Sequence, residues 1–328
     1  MQYIDIFNGD ADGIFSLIQW RKAYPVPAEQ QRLVAGVKRD NALVKQVTDE
    51  QAAGAMLTVL DISFDKNTDE LARVLEQAEQ VFYCDHHRAK TLFVHPKLES
   101  NIDFAATVCT GLLVSERLNH EYHLWAIAAA FGDGLDSVAE HEASQLGLSA
   151  EQTAQLRELG VLVNYNGYGA NVEDLHFAPA ALYRLLAAYD TPFDVVTDQS
   201  SPFVSLKQGY EADLAQALKS EVLEDTARVK AVVLDNVPWA RRISGTYGNK
   251  LAAENPDTAI VVASYNADST LTISLRAPKN NLQGAGDICS GFPTGGGRAG
   301  AAGINSMPVS QLSHFIHKVA SFYSPREQ

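Results

Sequence analysis

The chain is poor in cysteine, with Cys84, Cys109 and Cys289 alone among 328 residues. An odd count at wide spacing indicates neither a disulfide framework nor a zinc ribbon. No apolar run approaches the roughly 20 residues of a membrane span, so no membrane association is expected. Positive charge is also short, with 26 Lys and Arg against 40 Asp and Glu and a net charge of −14. That balance disfavours binding to long nucleic acid, which depends on Lys and Arg neutralising phosphates. It leaves room for a small anionic substrate in a locally positive pocket. The N-terminus lacks a basic n-region and carries Asp5 and Asp10 early. No signal peptide is therefore visible, and a cytoplasmic protein is expected. What is present is a 46% hydrophobic and 20% charged composition, enough for a large core and more than one compact domain.

The first third alternates β-rich and helical segments. Tyr3 to Phe7, Arg32 to Val37, Met56 to Leu60 and Val81 to Cys84 read as strands. Gly13 to Ala23 and Asn67 to Ala78 read as helices, the latter with Asn67 as N-cap and Glu70 as its reciprocal partner. This alternation predicts an α/β fold with a parallel sheet flanked by helices. Residues 105 to 190 read as mainly helical, and Thr191 to Ser205 as a linker leading into a helix over about Gln208 to Lys230. Beyond it, Ala231 to Leu234, Thr258 to Ser264 and Thr270 to Arg276 read as strands, the last by its alternation. Helices are expected near Leu282 to Cys289 and Val309 to Phe322. The expected organisation is a first domain over 1–190, a linker and connecting helix over 191–229, and a smaller α/β domain over 230–328.

Chemistry-bearing residues recur just past the strands. Asp10 and Asp12 follow the first, Asp61 the third, and Asp85-His86-His87 the fourth, while Asp133 ends the apolar stretch Leu124 to Phe131. Open α/β sheets bind ligands outside the carboxyl ends of their strands. Carboxylates suit hard divalent cations, and one imidazole tips the preference toward Mn²⁺. Asp10 and Asp12 would face two neighbouring ions, Asp61 or Asp133 would bridge them, and His86 would add a nitrogen. Two such ions activate water and stabilise both oxygens of an in-line displacement at phosphorus. A lone Asp after a strand is more often a turn or cap residue, so on the residues alone both readings stand.

Near the C-terminus, Gly295, Gly296 and Gly297 permit close backbone approach to an anion, and Arg298 adds a fork of donors. The competing reading is a Gly turn with solvated arginines. Asn164 to Gly169 offers either an aromatic ledge for a base or an ordered loop. Cys84 reads as a buried strand-end thiol, and Trp125 as a core residue.

The set Asn8-Gly9-Asp10-Ala11-Asp12-Gly13, Leu60-Asp61-Ile62-Ser63, Asp85-His86-His87-Arg88 and Gly132-Asp133-Gly134 resembles the four motifs of the DHH phosphoesterase family. Gly295-Gly296-Gly297-Arg298 with Gly300-Ala301-Ala302-Gly303 resembles the glycine-rich signature of its associated C-terminal domain. The resemblance implies a DHH domain joined to a smaller substrate-binding domain, with the active site in the cleft between them. It implies Asp10, Asp12, Asp61, His86 and Asp133 as ligands of two Mn²⁺ (Mg²⁺ or another divalent ion being allowed). His87 is implied as a contact to the scissile phosphate, and Asp85 as the residue orienting His86. Arg88, Arg276, Gly295, Gly296, Gly297 and Arg298 are implied as substrate contacts. Two departures stand out. Ile6 takes the place of a motif-one His, with Asn8 nearby as a weaker ligand or water-holder, and Arg298 takes the place of a common His. The implied activity is hydrolysis of short 5′-phosphorylated dinucleotides such as pGpG to nucleoside 5′-monophosphates, as in the nanoRNase-like branch. A 3′-phosphoadenosine 5′-phosphate phosphatase, a single-strand exonuclease and a nucleotide-binding sensor are the alternatives, and a homodimer is left open.

Overall fold

A computed structural model of the chain describes residues 1–324; residues 325–328, the end of the expected C-terminal domain, lie outside the described residues. The chain divides into two compact α/β units, Met1–Gly209 and Tyr210–Gln328.

In the first unit, β1 (Tyr3–Phe7), β2 (Gln31–Ala35), β3 (Met56–Leu60), β4 (Gln80–Asp85) and β5 (Leu98–Ile102) form one sheet in the order β2-β1-β3-β4-β5. All four pairings are parallel. The central strands are buried almost without interruption, as in a sheet covered on both faces. Leu98-Glu99-Ser100-Asn101-Ile102, polar and partly exposed, suits the edge it occupies. The helices are α1 (Ala11–Ala23), α2 (Asp49–Ala52), α3 (Phe64–Gln77), α4 (Thr110–Arg117), α5 (His123–Gly132), α6 (Asp136–Gln145), α7 (Ala150–Gly167), α8 (Pro179–Ala187) and α9 (Pro192–Thr197), and the boundary between the units falls within α10 (Pro202–Ala217). The chain leaves β1 for β2 on one side and returns to β3 on the other. Strand order thus reverses between β1 and β3, and the crevice at such a switch point is where doubly wound sheets hold ligands.

The second unit carries a six-stranded mixed sheet in the order β10-β11-β9-β8-β7-β6, with only β7–β8 parallel. Its strands are β6 (Glu221–Asp225), β7 (Val229–Leu234), β8 (Ala259–Tyr265), β9 (Thr270–Arg276), β10 (Gly295–Gly297) and β11 (Ala301–Pro308). Leu271, Ile273 and Leu275 alternate inward along β9, as its period-two pattern predicts. They share a core with Val229, Ala231, Val261 and with Ile288 and Phe315 from α12 (Ala285–Ser290) and α13 (Leu312–Phe322). Helix α11 (Pro238–Glu254) packs against β8 and β9.

Three local expectations are corrected. Asn67 is not an N-cap: α3 starts at Phe64 behind Ser63, and Asn67 is buried within it. Its side chain accepts from Val44 N (3.1 Å) and donates to Asn41 O and Ser63 O (2.6 and 2.8 Å), so a fully bonded core amide outweighs the capping pattern. The linker and helix expected over Thr191 to Lys230 are instead α9 and α10, the latter running only from Pro202 to Ala217, and Glu221–Asp225 pairs with β7 as an edge strand. The glycine run is an edge strand too, with Gly295 opposite Ile304 and Gly297 opposite Ala302. Of its three glycines only Gly297 has a positive φ (146°).

Candidate metal centre

Each strand end at the switch point delivers an acidic or imidazole group. Asp10 caps α1, its Oδ1 accepting from Gly13 N at 3.1 Å. Asp12, in the first turn of α1, receives the leading amides of α4: Thr110 N to Oδ2 at 2.8 Å and Gly111 N to Oδ1 at 2.7 Å. Helix starts leave such amides unsatisfied, and here a carboxylate takes them up. Asp61 follows β3 with φ 58°, a left-handed conformation that is costly for a residue with a Cβ. Thr110 Oγ1 donates to Asp61 Oδ1 at 3.2 Å. Asp133 is the C-cap of α5.

His86 is the hub. Its Nδ1 lies 3.0 Å from Val108 O, and a carbonyl only accepts, so the proton sits on Nδ1 and the lone pair on Nε2. Around that Nε2 stand Asp61 Oδ1 at 3.4 Å, Asp12 Oδ2 at 3.8 Å and Asp133 Oδ2 at 3.8 Å. Donor atoms sharing an ion with bonds of about 2.1 Å are separated by roughly 3 to 4 Å, and each of these three carboxylate oxygens stands at that distance from Nε2. A second grouping overlaps it: donor atoms of Asp61, His86 and His87 lie within 4.8 Å of one another. His87 is placed differently from His86. Its Nδ1 donates to Asp85 Oδ1 at 2.7 Å, and its side chain is one-third exposed. The expectation that Asp85 orients His86 is corrected: the fully buried Asp85 supports the partly exposed His87, and Val108 O orients His86.

The buried carboxylates of Asp10, Asp12 and Asp61 and the partly buried one of Asp133 repel one another. Burial, then the charges of Asp12 and Asp10, push the Asp61 carboxyl well above the usual carboxylate range. Burial also raises Asp12, against the lowering influence of His86. Burial works to raise Asp10 as well, but the ammonium of Lys38 outweighs it and holds Asp10 low. Burial opposes a charged His87, yet the hydrogen bond and charge of Asp85 raise its pKa overall.

Lys38, in the loop after β2, was not legible as a site residue. It is ion-paired to Asp10 Oδ2, donates to Asn164 Oδ1 at 2.9 Å and lies 3.8 Å from Asp133 Oδ1. The available signal was its position, since it too follows a strand of the same sheet. Asn164 comes from the end of α7, whose Tyr165 is buried rather than a ledge for a base. Ile6 is fully buried in the sheet core, and Asn8 braces backbone, accepting from Asp10 N and donating to Lys38 O. Cys84 and Cys109 are buried, and burial raises both thiols well above their ordinary range.

The structure thus gathers Asp10, Asp12, Asp61, Asp85, His86, His87 and Asp133 in the first unit, with Arg88 exposed directly after His87. Arg276 and Gly295 to Arg298 belong to the second unit. There the Arg276 guanidinium is held by Asn249 Oδ1 (2.6 Å) and Ser274 Oγ (2.9 Å), and Arg298 is exposed.

No protein-family model matches the chain, and no curated protein sequence does. Solved structures match over nearly its whole length. A DHH-domain protein described as a member of a family of ribosomal proteins is 13% identical, with 98% of this chain and 86% of that chain covered and a TM-score of 0.62. A pGpG-specific phosphodiesterase, PggH from Vibrio cholerae, is 12% identical, with 98% and 99% covered and a TM-score of 0.57. The exonuclease RecJ bound to manganese is 16% identical, with 100% and 91% covered and a TM-score of 0.53. At these identities what the chain shares with them is the two-unit fold.

Proposed function

We propose that the chain is a metal-dependent phosphoesterase of the DHH kind, hydrolysing short 5′-phosphorylated dinucleotides to nucleoside 5′-monophosphates. One observation carries the reading: Asp12, Asp61 and Asp133 converge on an imidazole nitrogen whose tautomer leaves it free to bind a cation. A divalent cation held by these four side chains would polarise water and a phosphate oxygen. Mn²⁺ fits the mixed oxygen and nitrogen donors, and Mg²⁺ is the natural competitor. Thr110 and Gly111 fix the Asp12 carboxylate before any ligand arrives, which reduces reorganisation on binding. His87, whose protonated form Asp85 favours, is suited to contact a phosphate oxygen or the departing 3′-oxygen, and Arg88 lies beside it. Arg276, Arg298 and Gly295, Gly296 and Gly297 of the second unit are proposed contacts for the far phosphate or base. This assigns catalysis to 1–190 and substrate binding to 230–328.

Among dinucleotides, pGpG is proposed on the strength of the likeness to the Vibrio protein and the acidic overall charge. Purified protein with Mn²⁺ is expected to release GMP from pGpG, to lose that activity in EDTA, and to act poorly on longer oligonucleotides. His86→Ala is expected to lower turnover at least about 10³-fold while its circular dichroism is unchanged, since one of four donors is lost. Dinucleotide binding with no monophosphate released under any divalent metal would show a sensor instead. Equal rates on pGpG and pApA would remove guanine preference and leave the phosphoesterase reading intact.

A further inference from the structure

The crevice contains two positions for positive charge, and only one of them is built for a metal. Asp133 shows the division: its Oδ2 faces His86 Nε2 while its Oδ1 faces Lys38 Nζ, each at 3.8 Å. On the His86 side, three carboxylates and one imidazole nitrogen are available. On the other side, Asp10 is already engaged by the Lys38 ammonium, which Asn164 Oδ1 also holds. Neither Ile6 nor Asn8 offers a nitrogen ligand there, because Ile6 is sealed in the hydrophobic core and Asn8 is engaged with backbone.

Lys38 is held in place from several directions. Its backbone N–H donates to Gly167 O at 2.8 Å and its carbonyl accepts from Asn8 Nδ2 at 3.1 Å. Its ammonium lies 5.6 Å from the Tyr168 ring centre. Contacts to the end of β1, to α5 and to α7 therefore all converge on one residue. A divalent ion at Asp10 would have to sit against a fixed ammonium, and like charges at such separations repel strongly in a buried setting.

We propose that this protein holds a single divalent cation, and that the Lys38 ammonium takes the position a second one would fill. The inference departs from the two-ion arrangement expected from the sequence. It rests on the proposed metal centre but not on the identity of the substrate. A lysine is a compact point charge suited to stand in for an ion beside carboxylates, and it remains in place when metal is removed. The ammonium then offsets one of the four carboxylate charges before metal arrives, and a single divalent ion offsets two more.

Metal counting tests this without reference to catalysis. EDTA-treated full-length protein, titrated with MnCl₂ and desalted, is expected to retain one Mn²⁺ per chain by elemental analysis. Its electron paramagnetic resonance spectrum should be that of an isolated ion. Lys38→Ala is expected to gain a second, weaker Mn²⁺ site in calorimetry, with a spin-coupled pair signal, whereas Lys38→Arg keeps one. Two ions in the wild type, or a single ion in Lys38→Ala, overturns the inference. The wild-type count stands even if Lys38→Ala does not fold. A protein that holds one Mn²⁺ but hydrolyses no phosphoester would keep this inference and sink the proposed function; two ions with full activity would do the reverse.

Discussion

Asp61 meets several demands at once. It is buried, adopts a left-handed backbone, faces His86 and accepts from Thr110. Strain of this sort persists only where surrounding structure imposes it, and it concentrates at functional sites. Because burial and neighbouring charge raise its pKa, the metal-free folded protein keeps a proton on Asp61 above pH 3.8 that the unfolded chain has released. The folded state then binds more protons, so this group makes metal-free stability fall as pH rises toward its folded pKa. A cation must expel that proton, and Mn²⁺ affinity is expected to rise with pH by at most about tenfold per unit for one proton. Calorimetry in buffers of different ionisation enthalpy, run at a series of pH values above 3.8, measures the release; no proton released at any of them would contradict it. His87 titrates in the other sense. Asp85 raises its pKa, so protonated His87 survives to higher pH. Asp85→Asn is expected to shift the alkaline limb of the rate profile to lower pH and reduce kcat about 10- to 100-fold, with Mn²⁺ stoichiometry unchanged. A fall in kcat at unchanged pH profile would assign Asp85 a purely structural part.

Helices place what the strands do not. Asp133 ends α5, and α5 lies so close to α7 that a Cβ on Gly160 would sit 2.1 Å from Ala128 O. A Cβ on Gly132 would similarly meet Ala11 Cβ at 2.4 Å. These are backbone-level contacts with little freedom to yield. Gly160→Ala is expected to destabilise the protein by about 1–3 kcal/mol, the usual range for overpacking, and to weaken Mn²⁺ binding by moving Asp133. Urea midpoints and calorimetry read both, and an unchanged midpoint would show that the helices slide apart cheaply. The α4 start is equally specific: Gly111 leaves room for Ala129 Cβ (2.6 Å from a built Cβ) and Asp12 Oδ1 (3.1 Å). Sequence periodicity located α5 and α7 within a helical region but not this packing, because the glycines that permit it carry no periodic signal.

For the whole molecule, every proposed ligand lies in the first unit, so metal should stabilise that unit. At 100 times its Kd, a cation binding only the folded state adds about 2.7 kcal/mol. Thermal unfolding is expected at higher temperature with Mn²⁺ than with EDTA, with a gain that grows as pH rises through the range in which Asp61 loses its proton. A gain of the same size in His86→Ala would place the cation elsewhere. Among the described residues no helix is long and apolar enough to cross a membrane.

The sequence by itself determined the parallel-sheet α/β class and the strand-end positions of Asp10, Asp12, Asp61 and His86. Both follow from short-range pattern, since a buried strand is a run of a few apolar residues and its carboxyl end is the next position. Tertiary structure alone decided what those groups meet. Asp12 is held by amides nearly a hundred residues away, and Lys38 reaches Asn164 across 126 positions. Asn67 is a buried amide rather than a cap, and the glycine run is a strand, for the same reason. Contacts between distant segments are set by how layers pack, and packing leaves no mark on the local spacing of residues.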